Sequence, residues 1–337
     1  MMRAPTPGGA AAGGCRRAFV ALLALCSLLP AASDAAAADP WPTRPVRLVI
    51  GLAAGGGTDV TARVVAAALK DRLGQNVVVD NVTGAGGTIA SGMVARAAPD
   101  GYTFEVKTIS AAVINSFVYQ NLSYNPVTDF KAVTLVGRAP LVAVIPNDLP
   151  ARNLAEFLAL LKANPGKYSY GSSGVGTIPH FAGELFNRLA GVEMVHVPYR
   201  GNSPALAGLL ASDVALVFDT VGSTRQYIQA GRIRSVGVTT AERTEFMPDA
   251  PPIATLVPGF SIDTWFGIYA PAATPKEIVD RMAAEVAAVL RQPAVAAKVR
   301  DLGYEPVGST PEEFDRFWRE QLERFGPLVR KMDIKPN

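Results

Sequence analysis

The sequence predicts an α/β protein built as two lobes, and three observations carry that prediction. Short apolar, strand-like runs alternate with helical stretches along most of the chain. Setting aside 38 leader-like residues from 337 leaves about 300, more than one hydrophobic core usually serves. Two long apolar stretches, 135–145 and 260–270, read as segments that cross between lobes.

Residues 1–38 read as a secretory signal. Arg16-Arg17 precedes an uncharged apolar run from Ala18 to Pro30, and small residues ending Ala36-Ala37-Ala38 place cleavage near Ala38. The run is too short to span a bilayer, and no later stretch reaches about 18 apolar residues. Arg16-Arg17-Ala18-Phe19-Val20 suits a twin-arginine signal as well as ordinary Sec export. Cys26 follows Leu25 and not the small residue a lipidated cysteine needs, so a soluble periplasmic product starting near Asp39 is expected.

In the mature chain, 46–50 reads as the first strand, and Gly55-Gly56-Gly57 opens a helix from Thr58 to Leu73 that Gly74 stops. A strand at 77–79 leads through Gly84-Ala85-Gly86-Gly87 to a helix at 88–97. A third strand at 102–106 follows the turn Pro99-Asp100-Gly101. Beyond the first crossing, Asn153 with Glu156 signs the start of a helix at 154–163. The strand 168–170 is followed by Ser172-Ser173-Gly174-Val175-Gly176-Thr177, which opens a helix at 179–189. A strand at 194–197 precedes a short helix with Ser203 as cap and Pro204 at its first position, and strands at 214–218 and 233–238 follow. Two amphipathic helices close the chain, with capping boxes expected at Thr274 with Glu277 and at Thr310 with Glu313. Two crossings return the chain to its first lobe, so lobe one is expected at 39–138 plus 260–337 and lobe two at 139–259.

Composition excludes several classes of function. The chain has 32 Lys/Arg and 29 Asp/Glu, and the signal holds three of the former and one of the latter, leaving a mature net charge near +1. No basic patch stands out, so nucleic acid is not an expected partner. Both cysteines, Cys15 and Cys26, lie in the signal, which excludes disulfides, thiolate metal sites and a cysteine nucleophile. The two histidines, His180 and His196, lack the companions a zinc site needs, and neither a metal nor a cofactor is expected.

A matched pair of Gly-rich strand-to-helix turns carries most weight. One runs over Ala54, Gly55, Gly56, Gly57, Thr58 and Asp59, the other over Ser172, Ser173, Gly174, Gly176 and Thr177 towards His180. A helix N-terminus leaves unpaired N–H groups and a partial positive charge that suit an anion, and glycine lets a ligand approach the backbone. The plainer reading makes both merely tight turns, with Asp59 facing its own helix dipole and His180 shaping the second turn. Pro198, Tyr199, Asp219 and Thr220 lie at strand C-terminal ends, where α/β sheets bind ligands, although Tyr199 could equally pack on the surface and Asp219 cap a turn. Neither turn is a nucleotide motif. A serine hydrolase using Ser172 or Ser173 with His180 is the competing reading, although no Gly-x-Ser-x-Gly elbow surrounds these serines.

With these residues in place, the mature chain resembles the tripartite tricarboxylate receptor family, the Bug or TctC-like periplasmic binding proteins. The resemblance rests on the opening Trp41-Pro42 with Pro45-Val46-Arg47-Leu48-Val49, the turn at 54–59, Leu73-Gly74-Gln75, Gly84-Ala85-Gly86-Gly87 and Ala98-Pro99-Asp100-Gly101-Tyr102-Thr103. It continues through Gly183-Glu184-Leu185-Phe186, His196-Val197-Pro198-Tyr199-Arg200-Gly201 and Thr274-Pro275-Lys276-Glu277-Ile278-Val279. It implies a two-lobe Venus-flytrap receptor of type II-like form without enzymatic activity. Such a receptor binds a small organic acid or amide through backbone N–H groups and ordered water at the two turns. It works as a monomer and serves either tripartite transporter membrane subunits or a sensor. Gly51-Leu52 and Ala54 depart from the Pro-Phe and Pro common in relatives, and Val82-Thr83 from Arg-Pro, which leaves ligand identity open.

Overall fold

Strand alternation sets the architecture. In the computed structural model, which describes residues 1–6, 8 and 41–332, β1 (Val46–Ile50) sends Val46, Leu48 and Ile50 into one apolar core and Val49 into another. A strand buried on both faces needs cover on both, and helices supply it. The first core packs α1 (Gly57–Leu73), α8 (Lys276–Leu290) and α9 (Pro293–Asp301) against the sheet through Val65, Leu69, Met282, Val286 and Val299. The opposite face is covered by α2 (Thr88–Ala95) and α10 (Pro311–Lys331) through Val94, Phe314 and Trp318. The expected signal lies almost wholly outside the described residues.

Among the described residues, ten strands form one sheet in the order β2-β1-β3-β9-β4-β7-β5-β6, with β8 and β10 also on β4. In one half, β2 (Val77–Asn81) forms the edge and β3 (Thr103–Thr108) lies between β1 and β9, both parallel to β1. Between β3 and β4 the chain makes a π-helical turn, Ser110–Ile114, and α3 (Asn115–Val118). The strand β4 (Phe130–Pro146) has 17 residues and serves both halves. Its first part pairs antiparallel with β9 (Asp263–Pro271) from Phe130 to Pro140, and from Leu141 onward it pairs with β7 (Leu216–Thr220) and β8 (Ile233–Val238). In the second half, β5 (Ser169–Ser172) lies parallel to β6 (Val195–Pro198) and to β7. Its helices are α4 (Leu154–Ala163), α5 (Ile178–Ala190), α6 (Asn202–Leu210) and α7 (Val221–Gln229). The two-residue β10 (Glu305–Pro306) pairs with Arg138 and Gly137.

Several sequence expectations need correction. The box at Thr310 forms in both directions, with Glu313 N donating to Thr310 Oγ1 at 3.2 Å and Thr310 N to Glu313 Oε2 at 2.9 Å. No such box forms at Thr274: Pro275 is the N-cap, and Thr274 Oγ1 is buried without a partner. The short helix α6 begins at Asn202 with Gly201 as its cap, so Ser203 and Pro204 lie inside its first turn. Among the described residues three helices, not two, follow β9, because Gln292-Pro293 interrupts the apolar period between α8 and α9. The segments Ser110–Val118 and Val221–Gln229 were not expected as helical, their polar and apolar residues following no clear 3.6-residue period.

One polar cluster is sealed inside the first half. Glu105 and Lys107 lie two apart on β3 and share a face, with Lys107 Nζ 3.5 Å from Glu105 Oε2 and 2.9 Å from the Phe130 ring centre. Ser91 Oγ donates to Glu105 Oε1 at 2.6 Å. Burial pushes Glu105 up, against the pull of Lys107 and Ser91, and it brings Lys107 down to about 8 despite Glu105. Removing one partner of such a pair costs about 3–5 kcal/mol. Lys107→Met is therefore expected to lower stability by about 3 kcal/mol at pH 8 and by less at pH 5. Glu105 alone has its folded pKa raised, so it contributes stability at low pH and loses it as pH rises. Urea midpoints at the two pH values measure the difference, and a loss at pH 5 equal to that at pH 8 would contradict it.

Candidate functional site

Both Gly-rich turns start a helix after a strand, and each is held by its own internal lock. In the first, Gly55 takes φ 87° and Gly56 caps α1 with no side-chain acceptor. Asp59, in the first helical turn, reaches back to accept from Gly55 N at 2.9 Å. Its other partners are Arg63 Nε at 3.1 Å and Asn81 Nδ2 at 3.0 Å. Burial raises the Asp59 pKa, but hydrogen bonds from Arg63, Gly55 and Asn81 outweigh it and leave the carboxyl below its ordinary value. Asp59 thus stays ionised and faces the turn it shapes. Among the described residues, the N–H groups of Gly56, Gly57 and Thr58 donate to no protein acceptor, as expected at a helix start.

In the second turn, Ser172 is wholly buried; its Oγ accepts from Gly174 N at 3.1 Å and lies 2.6 Å from His196 Nε2. Thr177 Oγ1 donates to Gly174 O at 2.7 Å, and Gly176 N donates to His180 Nδ1 at 3.2 Å. Gly174 and Gly176 take φ 130° and 76°, which a side chain would strain. His180 and His196 stack in parallel, ring centres 3.7 Å apart and 9° between planes, on the ring of Tyr170. Burial brings His180 down to about 3, with His196 adding to the effect, and brings His196 itself down to about 4. Both rings are neutral near pH 7, and a neutral His180 is what lets Nδ1 accept an amide proton. The imidazole beside Ser172 is His196, not the His180 of the competing hydrolase reading. Ser173 makes no described side-chain hydrogen bond, and Ser172 is closed to solvent.

A third glycine segment, Gly84–Gly87, completes the arrangement. A Cβ added to Gly51, at the base of the first turn, would lie 2.7 Å from the Cα of Gly87. Asn115, at the start of α3, donates from Nδ2 to Gly86 O at 2.7 Å, while a Cβ on Gly176 would meet its Oδ1 at 3.0 Å. Ser110 Oγ accepts from Ile178 N at 2.9 Å, capping α5 from the other half of the sheet. The π turn and α3 thereby bring the second turn against Gly86, while Gly51 brings the base of the first against Gly87.

Tyr304 joins the first turn to the β7 end. It is buried, its ring lies against Gly57, and burial pushes its hydroxyl up to about 12, offset by a hydrogen bond with Thr58 and reinforced by Asp219. Asp219 is buried too. Its Oδ1 accepts from Asn202 Nδ2 at 2.5 Å and Thr220 N at 2.7 Å, and its Oδ2 has no partner. Burial pushes Asp219 up to about 6, with Asn202, Thr220 and Ser223 opposing. Thr220 caps α7, and its Oγ1 lies 2.9 Å from Ser223 Oγ. Tyr199 borders the second turn through its backbone, its N donating to Ser172 O at 2.9 Å and its carbonyl lying against Gly174, while its ring packs against Gly171 and Gly208. Pro198 is exposed at the edge strand β6. Asn115, Ser110 and Tyr304 were absent from the sequence expectation, since nothing in their local spacing marks them. No group of three or more metal-binding side chains occurs among the described residues.

The model of the tripartite tricarboxylate transporter family receptor matches residues 61–334. A Pseudomonas sp. (strain P51) protein encoded between tcbD and tcbE is 36% identical over 324 residues, covering 96% of each chain. Among solved structures, a Rhodopseudomonas palustris protein with adipate is 37% identical at TM-score 0.83, covering 88% of this chain and 100% of its own. The periplasmic binding protein BugD is 33% identical at TM-score 0.81, with coverage of 88% and 100%. The two-lobe α/β periplasmic-binding fold expected from the sequence is therefore the fold of this chain.

The histidine pair yields a test. Both folded pKa values lie below the ordinary 6.5, so the unfolded chain takes up protons first on acidification. Stability carried by the pair is complete above about pH 6.5 and falls as pH drops towards 4. Nitrogen-detected NMR at pH 6 is expected to find both rings neutral, with the His180 proton on Nε2. An imidazolium signal from either ring at pH 6 would contradict this geometry.

Proposed function

The chain belongs to the tripartite tricarboxylate transporter receptor family, and on that premise we propose that it captures a small organic acid between its two lobes and does no chemistry on it. One observation carries the reading: two helix-opening turns, one from each half of the sheet, border one junction of glycine backbones. Amides left free at the first helix start, including those of Gly56, Gly57 and Thr58, provide anion-binding donors at a fixed place. The positive-φ glycines allow a carboxylate to approach the backbone itself. The adipate in the Rhodopseudomonas palustris relative supports a carboxylate as ligand, while an amide would use the same donors.

The ligand contacts proposed are Ala54, Gly55, Gly56, Gly57 and Thr58 in the first turn and Ser173, Gly174, Gly176 and Thr177 in the second. Asp59, Ser172 and His180 hold those turns in shape, and Asp219 with Thr220 forms the wall beneath Tyr304. The lobes proposed are 39–138 with 260–337 and 139–259, joined where β4 changes partners near Pro140 and where the chain returns at 260–262. Closure is driven by contacts that exist only with ligand in place. A leader-like N-terminus and periplasmic relatives support export to the periplasm, and the chain is proposed to act there as a monomer that delivers its ligand to tripartite transporter membrane subunits or to a sensor.

A hydrolase reading would have to use Ser172 with His196. Ser172 is buried, its Oγ already receives the Gly174 amide, and the depressed His196 is a poor base near neutral pH.

A thermal-shift screen of mono-, di- and tricarboxylates and their amides on the chain from Asp39 tests the proposal. A cognate acid at a hundredfold excess over its Kd is expected to stabilise by about 2.7 kcal/mol. The reading fails if no acid or amide moves the midpoint and none binds by calorimetry, or if mass spectrometry finds the ligand converted.

A further inference from the structure

Asn115 stands between Gly86 of the third glycine segment and Gly176 of the second turn, and its hydrogen-bonding capacity is only half used. The side chain is wholly buried; Nδ2 donates to Gly86 O at 2.7 Å, and Oδ1 has no donor. Reversing the amide would set two oxygens against each other at Gly86, so the unpaired atom is the acceptor. It faces Gly176, where an added Cβ would lie 3.0 Å away. The amides that could have served it from that turn are engaged elsewhere. Gly176 N goes to His180 Nδ1, Thr177 N to Gly174 O at 3.3 Å, and Ile178 N to Ser110 Oγ. A donor for Oδ1 must therefore come from outside the described protein groups. Leaving a buried acceptor unpaired costs on the order of tenfold or more in an equilibrium constant.

We propose that Asn115 determines specificity, its Oδ1 accepting an O–H or N–H that arrives with the ligand. The free backbone amides of the first turn read the anion, and Asn115 reads the donor beside it. That donor is either a hydroxyl or amino group on the acid's carbon chain or a water carried in with the carboxylate. Oδ1 is closed to solvent here, so contact requires the second turn to shift, which glycines at 174 and 176 permit. The inference rests on the receptor reading and deepens it.

Calorimetry with acids matched except for one hydroxyl tests it: succinate against malate, tricarballylate against citrate, propionate against lactate, on wild type and Asn115→Ala. With a ligand donor, the hydroxylated partner binds wild type about tenfold or more tightly, and Asn115→Ala abolishes that preference. The methyl ether 2-methoxysuccinate then binds as weakly as succinate. With water as donor, wild type shows no preference and Asn115→Ala weakens both partners about tenfold. Affinities in Asn115→Ala that stay within about threefold of wild type overturn the proposal. Failure of every acid to bind wild type would instead sink the receptor reading, and this inference with it. Should Asn115→Ala not fold, a wild-type crystal structure with a bound acid decides. A ligand atom or water within about 3.2 Å of Oδ1 supports the proposal, and an Oδ1 still without a donor overturns it.

Discussion

Much of this molecule follows from one constraint, the length and continuity of β4. Seventeen residues of unbroken strand hydrogen-bond first to β9 and then, after Pro140, to β7 and β8. A single strand shared by two half-sheets aligns them, so that helices opening after β1 and β5 begin near one junction. Its alternation also builds two cores at once. In its second part, Val142 and Val144 pack with Leu206 and Leu209, while Leu141, Ala143 and Ile145 pack with Phe157 and Leu161 on the other face. Sheet residues buried on both sides leave little freedom for slippage, because a one-residue shift would exchange the two cores.

On that frame, the glycine turns are held open by buried side chains that spend their own hydrogen bonds on the backbone. Asp59 clamps Gly55, Ser172 clamps Gly174, and neutral His180 takes the amide of Gly176. Each lock removes one donor from its turn, and in the first turn the amides of Gly56, Gly57 and Thr58 stay free. In the proposed receptor, the preorganised donors that remain would cost no further ordering on binding an anion. Asp219 and Asn115 add unpaired acceptors close by, so the junction is not a simple anion hole. It mixes donors that favour a carboxylate with acceptors that favour a hydroxyl, an amine or water.

How much was legible in the sequence depends on the range of the interaction. Capping at Thr310 and Asn153 was readable because both partners lie within one helical turn. The same signature at Thr274 failed: Pro275 takes the cap, and Thr274 turns inward unpaired. Glycine turns were legible because φ > 0, as at Gly55, Gly174 and Gly176, strongly favours glycine. The break at Gln292-Pro293 was missed because the apolar period resumes directly beyond it.

Most of the order of strands and helices, the paired glycine turns and the family resemblance were determined by local pattern, which the sequence alone carries. Only the tertiary structure decided which side chains govern those turns. Asn115, Ser110 and Tyr304 act through partners far along the chain, and nothing in their own neighbourhoods distinguishes them from ordinary core residues; His180 was placed at the second turn by sequence, but its stack on His196 was not. It also gave Asp59, which the sequence placed at a helix dipole with a ligand contact as the rival, a definite partner set. The physical reason is that a hydrogen bond needs two atoms within about 3 Å. Periodicity predicts which face a residue occupies; it does not predict which atom waits opposite.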